Sequence, residues 1–196
     1  MPPIRREQRR ATFERFVAEA TEGLLRTAFL VTGDGGHAED LVQESLFKVA
    51  QRWSRVVCME SPHAYARRIL VNLALDGSRR RSRHRAELET QRPPDGPAGW
   101  ESEISWRAFA AVDERIELIR ALGELAPRQR AALVLRYFDD LSESEVASTL
   151  GCSIGTVKST TSRALEKMRA LIPEQRVAAT TVSAVFACPE RKGEQR

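Results

Sequence analysis

Six residues near the start of one helical segment have types and spacing that could do chemistry: Thr156, Lys158, Ser159, Thr160, Ser162 and Arg163. Short hydroxyls beside two cations, with no acid among them, suit a groove lined by phosphates. Hydroxyls and backbone N–H groups hold phosphate oxygens there, while Lys and Arg reach guanine edges or phosphates. A helix end with short side chains also fits a major groove. The outer face of a solvated helical hairpin could have the same composition, so the surrounding elements must decide. A second cationic group is SRRRSRHR at 78–85, with Arg79, Arg80, Arg81, Arg83 and Arg85. One or two cations would satisfy a helix C-terminus; five in so short a run point to a polyanion that releases counterions on binding. A third group is Asp40, Gln43, Glu44, Phe47 and Gln51. The acids near that helix start, Glu39 and Asp40, also serve the helix dipole, but an aromatic ringed by acids and amides suits a protein interface.

The elements that must position these residues are helical. LSESEVASTLGCSIGTVKSTTSRALEKMRALI at 141–172 reads as two helices around a tight turn. Ser142 and Glu145 form an S-x-x-E capping box, with Leu141 and Val146 at the staple positions. Gly151 ends the first helix in a left-handed conformation and Ser153 caps the second. The second helix should turn Ile154, Val157, Thr161, Leu165, Met168 and Ile172 inward, leaving the hydroxyl-and-cation face outward. In the helix predicted over 38–53, Val42, Leu46, Val49 and Trp53 form the buried stripe, with Phe47 off it. Ser61 and Pro62 are placed as N-cap and N1 of a third helix. Ala66, Ile69, Leu70 and Leu73 face its core, while Tyr65, Arg68, Asn72, Asp76 and Arg79 recur on another face.

Composition excludes several classes. Ala, Leu, Arg and Glu dominate, aromatics are only 6 %, and no β-branched alternation is convincing, so the predicted fold is all-α. No stretch is long and apolar enough to span a bilayer, and MPPIRREQRR has no signal-peptide core, which predicts a cytoplasmic protein with no membrane role. Cys58, Cys152 and Cys188 match neither a disulfide framework nor a zinc spacing; Cys58 and Cys152 are expected to be small packing residues. His37, His63 and His84 have no partner at metal spacing. With no phosphate loop and no nucleophile elbow, no catalytic residue, metal or cofactor is predicted, and the chain is read as not an enzyme.

In chain order, residues 1–10 read as a loose basic arm. Helical patterning starts near Thr12 with Phe13, Phe16, Val17 and Ala20, continues through Leu24, Leu25, Ala28 and Val31, and stops at GDGG, 33–36. Between 86 and 117 the charge reverses: eight acids stand against Arg92, Arg107 and Arg115, and RPPDGPAG makes the stretch a linker. Trp100 and Trp106 could pin it to a partner or pack on a flanking domain. A second helical domain begins near Ile116 with Leu118, Ile119, Leu122 and Leu125. Pro127 then opens a helix carrying Ala131, Leu133, Val134, Leu135 and Tyr137. Beyond Pro173, VAATTVSAVFA reads as a short extra helix or a β-prone segment with no function assigned.

Three segments taken together resemble a known family: GDGGHAEDLVQES, then PHAYARRILVNLA, then LGELAPRQRAALVLRYFDDLSESEVASTLGCSIGTVKS. Their order and spacing over residues 12–172 resemble an RNA polymerase sigma factor of the extracytoplasmic-function (ECF) type, within the sigma-70 superfamily, closest to an actinobacterial SigE-like group. The resemblance implies two small helical domains joined by a flexible acidic linker. Those are a sigma-2 domain at 12–86, a linker at 87–115, a sigma-4 domain with a helix-turn-helix at 116–173, and a tail at 174–196. It implies docking on the β′ clamp helices of core RNA polymerase through Asp40, Leu41, Gln43, Glu44 and Phe47, with the β flap as a further contact. For promoter DNA it implies a −10 surface of His63, Tyr65, Arg67, Arg68, Asn72, Asp76, Arg79 and Arg80. His63 and Tyr65 sit near the strand-capturing loop, Asn72 and Asp76 face bases, and the arginines face the backbone. The −35 element would be read by Thr156, Lys158, Ser159, Ser162 and Arg163. An anti-sigma factor is a further implied partner. The element names imply about 25 base pairs, or about 85 Å, between sites, and a linker of about 30 residues reaches about 100 Å extended.

Two rivals make different demands on the chain. A free-standing helix-turn-helix regulator would bind duplex DNA without polymerase and has no use for the 38–53 surface. An RNA-modifying enzyme using the arginine run would need a catalytic constellation, which the sequence lacks.

Overall fold

The computed structural model describes residues 6–88 and 113–172, with side chains for 7–81 and 118–172. These residues form eight helices and no strand: α1 (Arg6–Thr32), α2 (Gly35–Gln51), α3 (Trp53–Val56), α4 (Pro62–Leu88), α5 (Asp113–Gly123), α6 (Pro127–Tyr137), α7 (Glu143–Leu150) and α8 (Ile154–Leu171). The predicted all-α architecture is what the structure has. The tail, Trp100, Trp106 and most of the linker lie outside the described residues.

Helix α1 starts at Arg6, so part of the expected loose arm is helical. Arg, Glu and Gln there are good helix formers, and Arg10 pairs with Glu14 one turn on at 2.7 Å. Gly33 ends the helix at φ +74, its N–H donating to the Phe29 carbonyl at 2.7 Å. Asp34 then caps α2, accepting from the His37 N–H at 2.9 Å. One glycine and one aspartate thus turn the chain back on itself with the orphan groups of two helix ends satisfied. An aromatic cluster closes the other end: the Trp53 ring lies 5.0 Å from Phe16 and 5.2 Å from Phe13, and its indole N–H donates to Thr12 Oγ1 at 3.2 Å.

The α2 stripe is wider than predicted. Ala38, Leu41, Val42, Ser45 and Val49 are buried and Leu46 is half-buried, because α2 packs on both α1 and α4. Ser61 caps α4 as expected, accepting from the Ala64 N–H at 3.1 Å. The core face of α4 is Ala66, Leu70, Val71, Ala74 and Leu75, with Ile69 and Leu73 only partly covered.

In the second half Pro127 opens α6, and the Gln129 side chain accepts from the Ala126 N–H at 3.2 Å. Residues 131–135 are all buried. Five successive residues pass right round a helix of 3.6 residues per turn, so α6 cannot be covered from one side. It packs against α8 on one flank and α1 on another. Each fully covered Leu or Val there contributes about 1.5–3 kcal/mol.

The two halves therefore share an interface, in which α1 meets α5 and α6 while α4 meets α6 and α7. Polar side chains tie it at two places. The Thr27 hydroxyl lies 2.8 Å from Asp139 Oδ1, and Arg67 Nε lies 3.1 Å from Asp139 Oδ2. At the other place Arg130 reaches from α6 to the C-terminus of α1, donating to the Val31 carbonyl at 3.1 Å and to the Gly123 carbonyl at 2.6 Å. A cation on a helix C-terminus faces the negative end of its dipole.

Candidate nucleic-acid interface and partner surface

The turn that presents α8 is built by local chemistry. Ser142 Oγ accepts from the Glu145 N–H at 3.3 Å, and Glu145 Oε2 accepts from the Ser142 N–H at 2.8 Å. The Ser142 hydroxyl, donating to Glu145 Oε2 at 2.6 Å, and next the Ser142 N–H hold the Glu145 carboxyl below the ordinary carboxylate range. Gly151 takes φ +62, and Ser153 Oγ accepts from the Thr156 N–H at 3.1 Å. Each serine cap contributes about 1 kcal/mol. The Arg128 guanidinium donates to the Leu150 carbonyl at 3.2 Å, fixing the end of α7 on α6.

On this frame Thr156, Lys158, Ser159, Ser162 and Arg163 are all exposed, and Val157, Thr161, Ala164, Met168 and Ile172 are buried. Two residues depart from the predicted inward face. Ile154 is 46 % exposed, since the first residue of the helix has no preceding turn to pack over, and Ala164 takes the covered position beside a half-buried Leu165. The face is also less free of acid than its own residues suggested. Lys158 Nζ lies 3.5 Å from Glu143 across the turn, and Ser162 Oγ donates to Glu166 at 3.4 Å.

Along α4, Arg68, Asn72, Asp76 and Arg79 share an exposed face, with Arg80 exposed beside it. Asp76 and Arg79 pair at 3.4 Å. The next arginine, Arg81, donates to His37 Nε2 at 2.9 Å. An arginine only donates, so His37 is neutral with its proton on Nδ1. Burial, and next the Arg81 charge, lower the His37 pKa. Arg83 and Arg85 lie beyond the described side chains. His63 is exposed with its ring 5.0 Å from Phe16, and the half-buried Tyr65 accepts from Arg52 at 3.3 Å. Arg67 points elsewhere, into the junction with the second half, and its side chain is only 25 % exposed. Its partner there was missed, because Asp139 is remote in sequence. The signal that could have found it is the run AALVL at 131–135, which is too apolar for a helix covered on one face.

On α2, Asp40, Gln43, Glu44 and Phe47 form an exposed strip, with Phe47 63 % exposed and Glu44 paired to Lys48 at 2.9 Å. Leu41 does not belong to it: at 4 % exposure its side chain is core, one position from the buried Val42, and has no surface to give a partner. Cys58 is likewise exposed rather than a packing residue, whereas Cys152 packs against the core. Among the described residues no helix is long and apolar enough to cross a membrane, and no cluster of three or more His, Cys, Asp or Glu could hold a metal ion.

Residues 16–84 match the family described as Sigma-70 region 2, and residues 115–168 match Sigma-70, region 4. The chain is 34 % identical over 157 residues to RNA polymerase sigma-E factor of Streptomyces coelicolor, covering 80 % of this chain and 84 % of that protein. It is 32 % identical to the ECF RNA polymerase sigma factor SigE of Mycolicibacterium smegmatis, covering 81 % of this chain and 60 % of that one. Among solved structures, the sigma factor RpoE from Bartonella quintana, crystallised with the anti-sigma factor NepR, superposes with a TM-score of 0.64 at 26 % identity. That superposition covers 82 % of this chain and 96 % of that one. The first matched region contains the α2 strip and the α4 face and the second contains the helix-turn-helix, and the chain belongs to the extracytoplasmic-function sigma factors of RNA polymerase.

Proposed function

We propose that this sigma factor divides its work among three exposed surfaces. As a member of the family it binds core RNA polymerase and directs promoter recognition and transcription initiation. The α2 strip of Asp40, Gln43, Glu44 and Phe47 docks on the β′ clamp helices, with the β flap as a second contact. The observation that carries this assignment is Phe47, 63 % exposed among acids and an amide on a helix whose opposite side is core. A solvent-facing aromatic of that kind is an interface anchor.

The −10 element is met by α4 and the loop before it. Arg68, Asn72, Asp76, Arg79 and Arg80 line the exposed face, Arg67 is the further arginine assigned to the DNA backbone, and His63 and Tyr65 stand at its start. The −35 element is met by Thr156, Lys158, Ser159, Ser162 and Arg163. The first surface belongs to a sigma-2 domain over 12–86 and the second to a sigma-4 domain over 116–173, with 87–115 as linker and 174–196 as tail. The protein works in the cytoplasm, catalyses no covalent step itself, and is a fit partner for an anti-sigma factor, as the Bartonella relative is for NepR. Run-off transcription with purified core polymerase on a promoter library tests the whole reading. Transcripts should depend on the chain and on both elements. A chain that ignores polymerase yet selects a defined duplex unaided would instead be a free-standing regulator.

A further inference from the structure

Gly77 stands inside α4, where a glycine weakens the helix and needs a reason. The reason is a close approach from α2. A Cβ on Gly77 would lie 3.5 Å from the Arg81 guanidinium and 3.8 Å from His37 Nε2, so a longer side chain would have to displace one of them. Over this bare stretch of backbone Arg81 turns back one helical turn and donates to His37 Nε2 at 2.9 Å. Arg81 belongs to the same run as Arg79 and Arg80, both exposed, and lies about 100° round the helix from Arg80. We propose that His37 is a positioning residue for promoter binding: its neutral ring, reached over Gly77, holds Arg81 out of the phosphate-facing run, and protonation of the ring returns Arg81 to the DNA.

Only one protonation state of the ring fits this seat. An arginine donates and never accepts, a neutral imidazole offers one acceptor, and an imidazolium offers none. A proton on Nε2 therefore breaks the bond and sets two cations against each other. Burial opposes that proton most and the Arg81 charge from α4 next, while Asp34 and Asp40, flanking the ring from the start of α2, favour it. The balance lies below the ordinary histidine value. The end of α1, which also packs on α2, is the uncharged run 29–32. Arg130 of α6 donates there to the Val31 and Thr32 carbonyls. Phosphates brought up to α4 shift the balance toward the charged ring, since they stabilise both the imidazolium and the freed guanidinium. Arg81 is exposed, so its release needs no helix to move.

The proposal rests on the assignment of the α4 face to promoter DNA, and its test separates the two. Holoenzyme is assembled from core polymerase and the full-length chain, and promoter affinity is measured against salt at pH 7.5 and pH 5.5. Variants are compared with the parent at the same pH, so that titration elsewhere in the complex cancels. One more phosphate contact steepens the slope of log affinity against log salt by about 0.9 on duplex and about 0.7 on a single strand. At pH 5.5 the parent slope should exceed that of His37→Gln, which keeps an acceptor and takes no proton, by one such step. At pH 7.5 the two should match. Gly77→Leu fills the passage and should be one step steeper than the parent at pH 7.5, joining it at pH 5.5. Parent and His37→Gln slopes that agree at both pH values, or a Gly77→Leu slope equal to the parent's at pH 7.5, overturn the proposal. Arg79→Ala tests the underlying assignment: an unchanged slope takes the α4 face off the DNA, and this proposal with it. A second measurement needs no polymerase. In nuclear magnetic resonance of the chain alone, the His37 ring should titrate below 6.5, and Arg81→Ala should raise its midpoint with helical circular dichroism unchanged. A midpoint that Arg81→Ala leaves in place means the guanidinium does not sit on the ring, and overturns the proposal.

Discussion

The two surfaces proposed to face DNA present their cations in opposite ways. On α8, Lys158 is 64 % exposed and its acidic neighbour Glu143 is 41 % exposed, 3.5 Å away. On α4, Arg67 is 25 % exposed against an Asp139 at 4 %. An exposed pair of the first kind is worth about 0–1 kcal/mol and is screened by salt, so a phosphate can replace the glutamate with little rearrangement. A pair of the second kind cannot exchange partners until the helices around it part. On the assignment proposed above, the −35 face is exposed as folded, while Arg67 of the −10 face is held by Asp139.

A third surface, the α2 strip, is hidden by neither half, and breaking it should have the largest effect. Glu44→Arg with Phe47→Ala should weaken co-purification with core polymerase by about a hundredfold or more, the scale of losing a buried aromatic anchor and reversing a charge beside it. An unchanged pull-down would move the docking surface off α2. Next in size, Arg163→Ala should lower run-off from promoters that depend on the −35 element by about tenfold, as for one lost base or phosphate contact, with core binding intact. If core binding falls instead, α8 faces the polymerase and the contrast between the two faces dissolves.

Smaller effects sharpen the buried side. Since the Asp139 pKa is raised in the docked form above its ordinary 3.8, docking binds a proton. Its stability should grow as pH falls through that raised value and level off below about 3.8, by linkage. Small-angle scattering should report the compact fraction rising as pH is lowered, and Asp139→Asn should remove the dependence; a compact fraction that falls would mean the ionised carboxylate is the better latch. The smallest effect concerns His37, whose pKa is lowered from 6.5. Its contribution to stability is present above 6.5 and lost as pH falls below that through the folded value. His37→Gln keeps an acceptor for Arg81 and cannot be protonated. It should flatten the melting temperature between pH 7.5 and 5.5 while changing stability at pH 7.5 by under about 0.5 kcal/mol.

What could be read in the sequence was the chemistry that acts over one turn. The Ser142–Glu145 box, Gly151, Ser153 and the Ser61–Pro62 start each settle a helix end from residues within four positions of one another. The exposed strip on α2 was legible because Phe47 stands off the apolar stripe, among acids and amides. Leu41 was placed on that strip by resemblance alone, whereas its own neighbours put it in the core: α2 is covered by α1 on one side and α4 on the other, which widens its buried face beyond a single stripe. The Thr27–Asp139–Arg67 tie was not legible. Its members are 112 and 72 residues apart along the chain, and no local pattern marks a carboxylate that finds its partner across an interface.

Because α6 is wrapped by apolar neighbours all round, parting the halves uncovers a greasy flank on each. An opened chain with nothing to lean on would be sticky, and a fragment carrying only 113–172 should self-associate at concentrations where the whole chain stays monomeric. The apolar flank of α6 therefore needs a cover, which in this structure α1 and α4 supply.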